Sequence, residues 1–242
     1  MDGAGRDAAP ICPECGGTGF VVMADDERSR VRHCRCRRRR QETLRKSAAG
    51  IPVRYQHCTI ETFAPQNRSL DEALALARRL VEEFPSAEYG LLFSGPCGVG
   101  KTHLAVAVLR ELVETRGATG LFAEFNDLLR RLLETYGSRS ETPSREVLHP
   151  ILRTNVLLLD DLGSTRMTPW MQDTLSLIIN ERYNDSSLTL ITTNRPQDAT
   201  ATQEALSDRI GERLASRLAE MCRLVPMDGD DFRRHVKAAA FR

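Results

Sequence analysis

The chain has 242 residues, 28% of them charged, and a formal net charge of +1. That length suits one sizeable α/β domain with a small appendage. No apolar run approaches the roughly 20 residues that span a bilayer, and Met1 to Pro10 lacks the apolar core of a secretory signal, so a cytoplasmic protein without membrane contact is expected.

The first elements are built on cysteine. Four of the seven cysteines lie in the first 36 residues, which fits a metal site in a reduced compartment better than a disulfide framework. Cys12-Pro13-Glu14-Cys15 is followed by Gly16-Gly17, a tight turn that lets two thiolates face one ion. Cys34 and Cys36 follow after a polar stretch that suits a short hairpin. Four thiolates make a closed tetrahedral site, the pattern of structural zinc. His33 is an alternative fourth ligand, and iron–sulfur ligation is the runner-up. From Glu27 to Lys46 ten Lys/Arg face two Glu, a local net of +8 that leaves −7 elsewhere. The run from Arg35 through Arg40 to Lys46 reads either as a solvated helix start or as a contact to nucleic-acid phosphate or an acidic protein face. No aromatics interleave it, so base stacking is not expected there.

Ala48 to Pro52 reads as the linker, placing a module and basic linker in residues 1–50 and the main domain in residues 51–242. Ser69-Leu70-Asp71-Glu72 resembles a capping box. It opens a helix whose apolar residues, from Leu70 to Phe84, recur at three-and-four spacing. Tyr89 to Ser94 reads as a buried strand, and Leu104 to Leu109 as a helix. Between them stands Gly95-Pro96-Cys97-Gly98-Val99-Gly100-Lys101-Thr102, the G-x-x-x-x-G-K-T string of a phosphate-binding loop. Its glycines let backbone N–H groups turn toward a phosphate chain, and the following helix points its positive end the same way. Lys101 is placed to reach the β- and γ-phosphates, and Thr102 to ligate Mg²⁺. His103 completes the candidate binding set. The dinucleotide fingerprint fails, because these glycines run G-x-x-G-x-G.

Gly120 to Phe125 predicts a second strand, and Asn126 an N-cap for an amphipathic helix through Tyr136. Gly137 to Ser144 is polar and expected to be mobile. Arg130, Arg131 and Arg139 read as a solvated face or as a contact to single-stranded DNA. After Asn155, Val156 to Leu159 is an all-apolar run ending in Asp160-Asp161, a Walker B pattern at the end of a central parallel strand. Asp160 is the Mg²⁺ partner and Asp161 the group that orients the attacking water and takes its proton. Thr168-Pro169 starts a helix to about Tyr183. Ser187 to Asn194 is a further strand, with Asn194 a candidate for the γ-phosphate or the lytic water. Gly211 to Leu218 is helical, with Arg213 and Arg217 on one face, and Arg223 to Met227 is a short strand before Asp230-Asp231-Phe232-Arg233-Arg234.

Walker A, Walker B, Ile191-Thr192-Thr193-Asn194-Arg195 and the segment from Glu212-Arg213 through Arg217 occur in this order. From about Ile51 onward the chain therefore resembles the DnaC/DnaI/IstB-type AAA+ ATPases. The cysteine-rich start is similar to the zinc-containing N-terminal domains of some loaders of this type, which bind the replicative helicase. The resemblance implies a P-loop α/β fold, a parallel sheet flanked by helices, and no full C-terminal lid, since the chain stops soon after Arg234. It also implies that Asn194 is sensor 1 and Arg233 sensor 2, and that Arg217 is an arginine finger acting on ATP of a neighbouring subunit. The implied function is an ATP-dependent, Mg²⁺-dependent DNA replication protein that loads the replicative DNA helicase onto single-stranded DNA and self-assembles through ATP-bridged interfaces. Most AAA+ proteins carry Asp-Glu at Walker B. The Asp-Asp here, as in loaders of this type, implies slow, switch-like hydrolysis, below the enzyme median of about 10 s⁻¹. The nearest alternative is an IstB-like transposition ATPase that partners a transposase. More distant ones are a non-hydrolysing nucleotide-gated adaptor and a small-molecule kinase.

Overall fold

The computed structural model describes residues 12–16, 18–25, 28–36, 49–136, 142–200 and 203–234. The chain divides into two compact units, Met1–Arg45 and Lys46–Arg242. In the first, β1 (Phe20–Asp25) and β2 (Arg28–His33) form an antiparallel hairpin in which Phe20 pairs with His33 and Asp25 with Arg28. The arginine run at Arg37–Arg40 and Lys46 lies outside the described residues, as does Arg139.

The second unit is a five-stranded sheet with helices on both faces. Its strands are β3 (Gly90–Ser94), β4 (Gly120–Glu124), β5 (Val156–Asp160), β6 (Leu188–Thr193) and β7 (Cys222–Pro226). They run parallel in the order β4-β5-β6-β3-β7. Continuous apolar strands need cover on both sides, because alternate side chains point to opposite faces. Leu91, Phe93, Leu158 and Leu190 pack under α1 (Arg68–Glu83) and α2 (Lys101–Thr115). Leu92, Leu157, Leu159 and Ile191 pack on the other face. That face is covered by α3 (Phe125–Tyr136), α4 (Thr142–Arg153), α5 (Pro169–Asn184), α6 (Leu206–Ile210) and α7 (Glu212–Met221). Each fully buried side chain of this size contributes about 1.5–3 kcal/mol. No helix among the described residues is long and apolar enough to cross a membrane.

Local chemistry moved three expected boundaries. The cap of α1 is Asn67, whose side chain accepts from Leu70 N–H at 3.0 Å, so the helix starts ahead of the Ser69 box. The first turn of α3 is capped by the Glu124 carboxylate, which accepts from the N–H groups of Asn126 and Asp127. Asn126 is free to tie the β5–α5 loop through Ser164 and Thr165. Residues 142–144, expected to extend a polar loop, open α4 instead. Thr168 caps α5 as expected, accepting from Met171 N–H.

One buried cation fastens the outer end of the sheet. Arg182 is fully buried and donates to Thr189 Oγ1 and to the carbonyls of Ile151, Thr154 and Leu188, at 2.6 to 3.0 Å. It thereby ties α4, α5 and β6 together. Burial pulls its pKa down to about 10, opposed by Cys222 and Asp185.

Candidate nucleotide and metal sites

The phosphate loop leaves the C-terminal end of β3 and enters α2. Gly100 caps the helix at φ +102°, a left-handed conformation that L side chains rarely adopt, and a Cβ there would stand 2.8 Å from the Phe63 ring. Lys101 is buried and folds back over the loop, donating to the Gly95 and Pro96 carbonyls at 2.8 and 2.6 Å. Burial pulls its pKa down to about 8, against the pull of Cys97, Asp161 and Asp160.

The ends of β5 and β6 meet this loop. Asp160 Oδ1 accepts from Thr102 Oγ1 at 2.8 Å and from Thr192 Oγ1 at 2.7 Å, and the residue is only 3% exposed. Burial pushes its carboxyl up, and the two hydroxyls oppose that. Asp161 stands at φ 60°, with its N–H held by Thr192 Oγ1 at 2.9 Å. Asn194 Nδ2 donates to Asp161 Oδ1 at 2.8 Å. Parallel pairing of β5 with β6 and of β6 with β3 gathers Lys101, Thr102, Asp160, Asp161 and Asn194 at one end of the sheet.

Other expected residues lie elsewhere or do other work. The His103 ring is taken up by Thr59 and Thr62, each 3.2 Å away, and packs edge-on against Phe63. Burial lowers its pKa. It fastens the segment before α1 onto α2, as does Arg110, which donates to the Gln56 and Cys58 carbonyls. Arg217 does not join the phosphate site of its own chain; it lies 5.6 Å from the Tyr183 ring centre, on the α5–α7 face. Arg233 is exposed and in electrostatic reach of Lys101 and Tyr55. Arg130 pairs with Asp127 and Glu134 on its own helix, as a solvated face does.

Two site residues have no role assigned from the sequence. Thr192 is the shared hydroxyl beneath both acids; it stands inside the Ile191-Thr192-Thr193-Asn194-Arg195 segment, where the sequence singles out only Asn194. Tyr55 lies in electrostatic reach of Thr102 and Asp160, and burial, then the Asp160 charge, pushes its pKa up. Its ring is 6.0 Å from that of Phe122 and 4.5 Å from the Arg54 guanidinium.

In the first unit the sulfurs of Cys12, Cys15, Cys34 and Cys36 all lie within 4.8 Å of one another. The Cys12–Cys34 and Cys15–Cys36 separations are 3.7 and 3.3 Å. A tetrahedral ion with bonds of about 2.3 Å needs sulfurs about 3.8 Å apart, so the cluster fits one. Gly19 N–H donates to Cys15 Sγ at 3.3 Å, the backbone support a thiolate uses. Neighbouring sulfurs, Cys15 first and Cys34 next, push the Cys36 thiol up to about 12, a crowding that a cation relieves. His33 is not part of the cluster; its ring packs 5.2 Å from Phe20.

A parallel sheet of this order, with a glycine phosphate loop after β3 and paired acids after β5, is the AAA+ P-loop fold. Comparison with known proteins places it further. The chain belongs to the family of IstB-like ATP binding proteins, whose model matches residues 21–240. The replicative helicase loader DnaC of Escherichia coli (strain K12) is 28% identical over 178 residues, 74% of this chain and 69% of that protein. A crystal structure of the DnaC helicase loader is similar with a TM-score of 0.65 and 37% identity, over 73% of this chain and all of that one. A crystal structure of DnaI is similar with a TM-score of 0.63 and 25% identity, over 79% of this chain and 98% of that one.

Proposed function

We propose that this protein is an ATP-hydrolysing loader of the replicative DNA helicase onto single-stranded DNA, with hydrolysis acting as a release switch. The observation that carries the enzymatic part is the convergence of Lys101, Thr102, Asp160, Asp161 and Asn194 at one end of the sheet. The loader part is supported by the relatives named DnaC.

The geometry supports the following assignment of roles. The backbone N–H groups of residues 97–101 and the start of α2 hold the phosphates. Lys101 swings from its loop carbonyls to the β- and γ-phosphates. Thr102 and Asp160 hold Mg²⁺, which would neutralise charge on the β- and γ-oxygens. Asp161, aimed by Asn194, orients the attacking water and accepts its proton. Arg233 reads the γ-phosphate. Arg217, away from its own site, serves ATP bound to a second copy, so assembly and hydrolysis are linked. The four cysteines hold zinc in a structural role, and their module docks on the helicase.

The test is co-purification of the full chain with its host's replicative helicase, with and without ATP. ATP-dependent capture supports the loader. The family's IstB-like name favours a second reading, a transposition ATPase. Capture of a transposase instead of helicase, with ATP binding intact, reverses the choice.

A further inference from the structure

The chain after β7 does not leave the sheet; it turns back over the phosphate loop. Met227 N–H donates to Ser94 O at 2.7 Å, and Phe232 N–H donates to Gly98 O at 3.2 Å. Asn67 Nδ2 holds the Asp228 carbonyl at 2.8 Å, pinning the turn to the start of α1. The loop is shaped to receive this turn. Gly98 occupies a position that the G-x-x-x-x-G-K-T pattern leaves free, and stands at φ +85°. A Cβ there would fall 1.9 Å from Asp231 Oδ1 and 2.7 Å from the Asp231 Cα. The same Oδ1 accepts from Arg233 N–H at 3.0 Å, closing a local turn across Asp231-Phe232-Arg233. Asp231 therefore touches the phosphate loop on one side and holds the Arg233 backbone on the other. Arg233 leaves that turn within electrostatic reach of Lys101.

We propose that Asp231 is a positioning residue for nucleotide recognition: wedged against Gly98, it fixes the backbone of Arg233 so that this arginine is aimed at the terminal phosphate. The inference rests on the ATP-binding reading above and deepens it. The carboxylate acts through its acceptor oxygen, not its charge, so an amide at this position serves as well. Because Arg233 addresses the γ-phosphate, Asp231 matters for triphosphate and not for diphosphate.

Calorimetric titration of the full chain with Mg²⁺ and either a non-hydrolysable ATP analogue or ADP tests this. Asp231→Ala is expected to weaken analogue binding about tenfold, the scale of one hydrogen bond, with ADP binding changed less than about twofold. Asp231→Asn is expected to restore the analogue, and on an Arg233→Ala background Asp231→Ala is expected to add nothing, the signature of two residues acting as one unit. Equal losses for ADP and analogue, no rescue by asparagine, or additive losses in the double variant would each overturn the proposal. Failure of the unsubstituted chain to bind either nucleotide would overturn the ATP-binding reading itself.

Discussion

Asn194, at the end of β6, donates its side-chain amide to Asp161, at the end of β5, across 2.8 Å. The bond holds a carboxylate whose own backbone sits in the left-handed region, so the acid is aimed by a neighbouring strand. Asp161→Asn is expected to keep ATP affinity within about threefold and to lower single-turnover hydrolysis by about 100-fold or more, the range for loss of a general base. Asn194→Ala should lose less, about tenfold or more, since the acid remains but is no longer aimed. Unchanged hydrolysis in Asp161→Asn would remove the acid from the reaction.

Asp160 is buried with a raised pKa. A carboxyl whose folded pKa lies above its unfolded value holds its proton more tightly when folded, so its ionised form costs stability once pH exceeds the unfolded pKa. Asp160→Asn keeps the shape and an acceptor for Thr102 and Thr192 while removing that cost. The ligand-free variant is expected to melt a few degrees higher at pH 7, and its nucleotide binding should lose most of its Mg²⁺ dependence. Thermal melts with and without Mg²⁺–ATP read both effects.

Lys101 has its pKa lowered to about 8 by burial. Only the protonated form complements phosphate. ATP affinity is therefore expected to hold steady below pH 7 and to fall as pH rises through about 8, by at most about tenfold per pH unit. For folding the sign is opposite: this lowered pKa costs stability below about 8, and the cost fades as pH climbs toward the unfolded value. ATP titrations from pH 6.5 to 9.5 should show the slope, and Lys101→Met should abolish it along with most of the affinity.

Arg182 donates to three carbonyls and a threonine and makes no salt bridge among the described residues. Arg182→Met fills the space but leaves those acceptors buried and unpaired, at about 1–3 kcal/mol for each group stranded. The variant is expected to lose about 3 kcal/mol or more in urea unfolding. Arg182→Lys should recover only part, because one ammonium cannot span the same fork of acceptors.

The cysteine cluster predicts one zinc per full-length chain by elemental analysis. Exchange with Co²⁺ should give the visible absorption of a tetrahedral four-thiolate site. Cys15→Ser is expected to lower metal content and helicase capture together while leaving ATP affinity within about twofold. Loss of metal with full helicase capture would separate the cluster from docking.

The amino-acid sequence by itself determined the fold class and the candidate residues for nucleotide and metal binding. The glycine string with Lys101 and Thr102, the apolar run into Asp160-Asp161, and the paired cysteines are local patterns whose meaning lies in spacing, and spacing is what a sequence displays. Strand order, the caps supplied by Asn67 and Glu124, the shared hydroxyl of Thr192, the approach of Tyr55, and the clasp of Asp231 on Gly98 were decided only by tertiary structure. The two caps are local contacts that compete with equally plausible neighbours such as Ser69 and Asn126; the others depend on groups far apart along the chain that become neighbours when parallel strands align their ends or when a terminal turn folds back. Arg182 makes the same point: in sequence it is one arginine among many, and it became a buried fastening only because α4, α5 and β6 enclose it with carbonyls that accept from its guanidinium.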